Sequence, residues 1–253
     1  MKKLKRTLSI SFLSCSIFLG LVSQAKAEET KNSLPKASFG FIDLNVYPYD
    51  TRDLSTYTIN LLANLPARLQ YFSFVNYTTP VGTNKNFDLQ NFYTEHNIRW
   101  ALPKNLPLDS TVQWVTQTGS PNDLLRFGFR WRLFNTPWLE NFFKKINMVY
   151  SINFHLLQMD FDPSPGWGFQ MEHVYSINLF PKFLDNRAYL SGYADHALNY
   201  GGSSAGNNHV WVTEHQLGYR LINWLYAITE LRYNDFLSKK TGVGFGAEYK
   251  IQF

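Results

Sequence analysis

Three glutamates sit in related settings along this sequence: Glu95 in TEHNIRW, Glu172 in MEHVYSI and Glu214 in TEHQLGY. Each is followed directly by a histidine: His96, His173 and His215. Neighbouring side chains of an extended chain point to opposite faces. The expected result is three carboxylates on one face and three imidazoles on the other. A belt of carboxylates on an inner wall selects solutes by field and hydrogen bonding. The same belt is also the acidic half of a salt-bridged network that stiffens a narrow interior, and the residue types leave both uses open. Arg68, Arg99, Arg130, Arg132, Arg187, Arg220 and Lys250 supply the basic half, displaced toward one end.

We expect Glu95, Glu172, Glu214, Arg99, Arg130, Arg220, Tyr93 and Phe74 to form the substrate-contacting part of a lumen. Phe41, Tyr47, Phe72, Tyr189 and Tyr193 fall on the same faces. Flat rings beside charges suit flat solutes with polar edges, such as nucleobases. Packing inside the barrel is the other use for any one of these rings.

Catalytic patterns are not found. G-x-S-x-G, H-E-x-x-H, a P-loop and a G-x-G-x-x-G in suitable context are missing. Ser151 and His155 share a strand face but stand four residues apart, roughly 13 Å, too far for a hydrogen bond. His155 with Ser176 or Asp195 on neighbouring strands stays open. The histidines lack metal-ligand spacing. No catalytic residue, metal or cofactor is expected.

The elements that would position these residues are strands. The stretch Thr241–Phe253 alternates without a break: Val243, Phe245, Ala247, Tyr249, Ile251 and Phe253 against Gly242, Gly244, Gly246, Glu248, Lys250 and Gln252. Period-two alternation of this kind describes a strand between two unlike environments. The aromatic face suits lipid and the small polar face suits a lumen. About twelve such segments follow one another from residue 38, each near the ten residues that cross a bilayer when tilted. Leu125, Phe127, Phe129, Trp131 and Leu133 against Arg126, Gly128, Arg130 and Arg132 is the clearest after the last. Asn135–Lys145 has helix-like spacing of Trp138, Leu139, Phe142 and Phe143 and predicts a short helical turn. Longer polar loops are expected at 79–88 and 201–208, and a turn at 160–166.

Residues 1–27 read as a secretory signal peptide. Lys2, Lys3, Lys5 and Arg6 precede an apolar run, and Ala25-Lys26-Ala27 is a small-x-small cleavage site. Residues 28–37 form a polar, flexible lead-in, and residues 38–253 the barrel. All five charges of the leader are basic; taking them from the 24 basic residues leaves 19 against 19 acidic ones. The basic pI therefore carries no argument for a nucleic-acid partner. The only cysteine, Cys15, also lies in the leader, so no disulfide is expected beyond it. No later stretch holds the roughly 20 apolar residues of a membrane helix.

The signal peptide, the repeated alternating segments and the terminal AEYKIQF resemble those of Gram-negative outer-membrane β-barrels. That resemblance implies recognition by the barrel-assembly machinery through the strand ending at Phe253. Length, strand number and aromatic stretches such as LQYFSFVNYTTP and YAITELRYNDF more narrowly resemble the Tsx-like nucleoside-specific channels. That resemblance implies a monomeric, narrow channel for nucleosides in the outer membrane. The residues themselves lead to an all-β, antiparallel, up-and-down transmembrane barrel of about 12 strands, set among outer-membrane lipids. They reach a narrow polar lumen, and together with the resemblance they point to diffusion of small polar solutes through it. An outer-membrane lipid-modifying hydrolase and a closed structural or adhesive barrel are the alternatives.

Overall fold

The computed structural model describes residues 39–80, 91–103, 106–119, 123–160, 167–200 and 209–253. The expected signal peptide, the lead-in, the turn at 161–166 and the loops at 81–88 and 201–208 lie outside the described residues.

Twelve strands follow in order: β1 (Gly40–Asp50), β2 (Leu54–Leu65), β3 (Leu69–Pro80), β4 (Asn91–Ala101), β5 (Leu108–Gln117), β6 (Asp123–Arg132), β7 (Met148–Asp160), β8 (Trp167–Leu179), β9 (Ala188–Tyr200), β10 (His209–Ile222), β11 (Leu225–Asn234) and β12 (Thr241–Gln252). Each pairs antiparallel with its sequence neighbour, and β12 closes on β1. The fold is a transmembrane up-and-down β-barrel of twelve strands, as the alternation predicts. Closure leaves no strand edge, so every spanning segment pairs its backbone on both sides, as a bilayer demands. The terminal Phe253 takes part: its N–H donates to Gly40 O at 3.1 Å, and Gly40 N–H donates to its carbonyl at 2.9 Å.

The register places side chains as the alternation requires. Asp43 lies opposite Lys250 and Asn60, Glu95 opposite Phe74 and Val115, and Glu172 opposite Asn153 and Asp195. These face inward and are mostly buried. Ile42, Ile98, Trp100, Trp114, Leu217, Phe245 and Ile251 face outward and are exposed. Apolar outside and polar inside is the inverse of a water-soluble domain, and it suits lipid. Among the described residues, register shifts interrupt the pattern at three places: on β1 between Val46 and Asp50, against both neighbouring strands, at Leu156–Leu157, and beside Ile222. The second makes both Leu156 and Leu157 exposed and returns Gln158 to the inside, opposite Arg126.

The turns at the end carrying both termini are short, with one exception. Ala67 and Arg68, in the β2–β3 turn, both have positive φ, at 58° and 66°. That backbone matches the right-handed twist of a hairpin and usually recruits Asn or Gly. The exception joins β6 to β7 through a 3₁₀ turn (Leu133–Asn135) and a short helix, α1 (Glu140–Lys145), as the spacing of Asn135–Lys145 predicts.

Candidate functional site

The interior wall is crowded. Tyr47, Asp50 and Gln113 are fully buried, and Val115, Asn153 and His155 are 1% exposed. Large inward side chains share the space by lying over glycines of neighbouring strands. Tyr47 of β1 lies against Gly244 of β12, and a Cβ at position 244 would stand 3.1 Å from its ring.

The expected carboxylate belt is present in part. Glu95 of β4 and Glu172 of β8 both lie on inward faces and are buried. Asp195 of β9 is the register partner of Glu172. Glu95 is held from several sides: Tyr93 donates to it at 2.6 Å and Gln113 at 2.8 Å, and Arg126 Nη1 stands 4.0 Å away. Arg126 in turn donates to Gln113 at 2.6 Å and Gln158 at 2.9 Å. Asn153 donates to Glu172 at 2.6 Å, and His155 Nε2 lies 3.6 Å from the same carboxylate. Glu214 belongs to a neighbouring cluster. It stands 3.9 Å from Arg232 Nε, which also holds Glu230, while Arg232 Nη1 donates to Thr56 at 2.8 Å. Tyr47 donates to Glu230 at 2.6 Å.

The aromatic residues Phe74 and Tyr93 stand together, their ring centroids 5.8 Å apart, with Phe72 6.5 Å from Phe74. Arg99 lies over the Phe72 ring at 5.3 Å. Phe74, Tyr93, Glu95 and Arg99 thus share one wall, β3–β4, and their rings are partly open to the lumen.

Arg130 belongs to a second network toward the end that carries the termini. Asp109 is its centre: Arg130 Nη2 stands 2.5 Å and Arg132 Nε 3.2 Å from its two oxygens. Arg130 Nη1 also donates to Gln70 at 3.0 Å, passing over β4 and β5. Arg99 reaches the same Gln70 oxygen at 3.3 Å. Arg220 departs from expectation. It is on the inward face of β10, but its Nη2 donates to the Asp185 carbonyl of the β8–β9 turn at 3.0 Å. At the rim, this turn carbonyl holds the guanidinium away from the belt.

Sequence reasoning passed over Asp109, Gln113, Arg126, Asp195 and Arg232 as site residues. The alternation of Asp109, Thr111 and Gln113 was the available signal for the first two.

His96, His173 and His215 face outward, as expected, and each is matched by a tyrosine. The Tyr71 hydroxyl meets His96 Nδ1 at 2.7 Å, Tyr150 meets His173 at 2.6 Å, and Tyr175 meets His215 at 2.8 Å across Gly192. An unpaired imidazole on a lipid-facing wall would be costly. Thr94 lies 3.3 Å from His96 Nε2, but its hydroxyl donates to the Phe74 carbonyl at 2.8 Å. The chain therefore runs from Tyr71 through the imidazole to Thr94 and ends on backbone. His155, the interior histidine, faces Glu172.

A closed barrel, apolar outside and charged within, is the fold of transmembrane β-barrels. Among solved structures, the chain is similar to the NanC porin at a TM-score of 0.57 and 7% identity, covering 83% of this chain and 100% of that one. It is more distantly similar to OccK11 of Pseudomonas aeruginosa, at 0.37 and 10%, covering 83% and 63%. A mutant porin of Rhodopseudomonas blastica follows at 0.32 and 6%, covering 84% and 98%. The shared fold rests on the first of these. No protein-family model and no curated protein matches the sequence.

Proposed function

We propose that this protein is an outer-membrane channel that passes small polar solutes by diffusion. The observation that carries this reading is the charged wall inside a closed, lipid-facing barrel, with Glu95 on β4 and the register neighbours Glu172 and Asp195 on β8 and β9 on its inward faces. Fixed charges on such a wall replace part of a solute's hydration and sort solutes by sign and hydrogen bonding. The crowding around Tyr47, Gln113 and His155 restricts the passage to small solutes. Export through the amino-terminal signal and assembly through the strand ending at Phe253 complete the reading. The protein acts as a monomer, without cofactor or catalytic step.

Nucleosides are the narrower proposal. Phe74 and Tyr93 offer partly open rings beside Glu95 and Arg99, so a base could stack while its polar edge meets charge. Stacking of a base on an aromatic side chain contributes about 1–3 kcal/mol. A closed structural barrel is the second reading, favoured by the same crowding.

Solute flux into proteoliposomes tests the proposal. Uptake of a labelled nucleoside should exceed that of a disaccharide, and Phe74→Ala with Tyr93→Ala should remove the preference while keeping the barrel folded. Uptake equal to that of protein-free vesicles would favour the closed barrel.

A further inference from the structure

The connection between β6 and β7 folds back against the outside of the barrel. Trp131 and Tyr150 lie on the outward faces of β6 and β7, alternating with the inward Arg130, Arg132 and Ser151. Trp131 Nε1 donates to Thr136 Oγ1 at 2.9 Å, and the Phe143 ring lies 6.0 Å from that of Tyr150. Thr136 and Phe143 are buried by these contacts. The segment that carries α1 is therefore applied to the lipid-facing wall, at the end that holds both termini. Single-chain barrels place that end on the periplasmic side.

The far side of the same segment is bare and aromatic. Trp138 is 73% exposed and Phe142 is 55% exposed. The adjacent β8–β9 turn adds Phe180 and Phe183, the latter 87% exposed. The β6–β7 connection is held to the end of β8, just before that turn, where Asn178 N–H donates to Asn147 O at 3.0 Å. Lys145, at the end of α1, and Lys182, next to Phe183 in the chain, are exposed. Lys144 is engaged with Glu140 at 2.5 Å. In water these rings would form a bare apolar patch with nothing to cover it. At a membrane surface, aromatic rings favour the headgroup level, and long cationic side chains reach lipid phosphates. Through Phe143, packed beside Tyr150, the segment's apolar side meets the barrel's outer face.

We propose that these two connections form a phospholipid-binding foot. Trp138, Phe142, Phe180 and Phe183 enter the adjacent leaflet, and Lys145 and Lys182 hold lipid phosphates. The inference rests on the reading that the barrel spans a membrane, and its test separates the two.

Cys15 is the only cysteine, so in a Cys15→Ser background a single nitroxide label can be placed at will. Labels would be set at Trp138→Cys, at Ile98→Cys on the mid-strand outer face, and at Asp53→Cys on an exposed turn. The proteins would be reconstituted in vesicles containing phosphatidylglycerol. Collisions with oxygen report lipid, and collisions with a water-soluble nickel complex report water. The labels at 98 and 138 should favour oxygen, and the label at 53 should favour nickel. Adding Lys145→Glu with Lys182→Glu should shift the label at 138 toward water and leave that at 98 unchanged. Nickel reaching 138 as freely as 53 would overturn the foot. Shielding of 138 from both agents would also overturn it, because the patch would then face protein. Nickel at 98 as well would remove the membrane-spanning reading itself. Phe183→Cys gives a second reporter if Trp138→Cys does not fold.

Discussion

Tyr189 of β9 donates its hydroxyl to Glu248 of β12, reaching over Gly218 of β10. The link skips two strands and ties β9 to β12, on one side of the seam where β12 meets β1. A Cβ at position 218 would collide with the Tyr189 ring. Gly218→Val should therefore expel the ring and destabilise the barrel by about 1–3 kcal/mol, the usual cost of overpacking. Tyr189→Phe should cost a similar amount, about 1–3 kcal/mol, by leaving a buried carboxylate short of a donor. Urea unfolding in lipid vesicles would measure both.

Asp109 collects Arg130 and Arg132 in a buried corner. Removing one partner of a buried ion pair typically costs about 3–5 kcal/mol. Asp109→Asn should lower the unfolding midpoint more than Arg220→Gln, whose guanidinium meets only a rim carbonyl. Equal effects of the two substitutions would contradict the assignment of Asp109 as the centre of that network.

The contrast between Asp109 and Arg220 also shows what alternation can reveal. Period-two patterning marks the inward face of every strand, because lipid and lumen impose opposite demands on neighbouring residues. It thus placed Glu95, Glu172, Glu214, Arg99 and Arg130 inside, and His96, His173 and His215 outside. It does not encode which inward residues meet. Gln70 meets Arg130 over two intervening strands, and that pairing depends on barrel tilt and stagger. The extra residue at Leu156–Leu157, which brings Gln158 to Arg126, has no mark in a leucine pair. Asp109 was hidden because it is the second residue of β5, where no alternation yet precedes it to mark a face.

The outward histidines give an independent check on the lipid-facing wall. Tyr150→Phe removes the partner of His173 Nδ1 and leaves a polar nitrogen toward lipid. The barrel should lose about 1–3 kcal/mol of stability, the penalty of an unsatisfied buried polar group. No loss would mean that water reaches this part of the wall.

The β11–β12 turn is clamped by Asp235, which accepts from Lys240 Nζ at 2.8 Å, Trp211 N–H at 2.8 Å and the Tyr233 hydroxyl at 2.8 Å. Lys240 is the largest influence, and together the donors bring the Asp235 carboxyl down to about 2. A carboxyl lowered in the folded state stabilises above its unfolded value, 3.8, and the contribution fades as pH falls through about 2. Lys240 moves the other way: the same carboxylate raises its pKa, so its contribution persists through neutral pH and fades only in strong base. Exchange of the Trp211 amide should therefore stay protected down to about pH 2 and become fast in Asp235→Asn at neutral pH. Loss of protection already above 3.8 would contradict the clamp.

Ala67 carries a φ of 58° in the β2–β3 turn. A left-handed backbone costs a non-glycine residue about 1 kcal/mol. Ala67→Gly should recover part of that and raise the unfolding midpoint. A lowered midpoint would show that unfolded-state entropy outweighs the strain.

Single-channel recording tests the central claim most directly. The refolded barrel would be placed in a planar bilayer under a salt gradient, and its zero-current potential compared with that of Glu95→Gln. The account predicts small discrete steps, and a shift of the potential toward anion preference when the Glu95 charge is removed. Folded protein that stays silent, in the parent and after Tyr93→Ala is added to widen the wall, would contradict a channel.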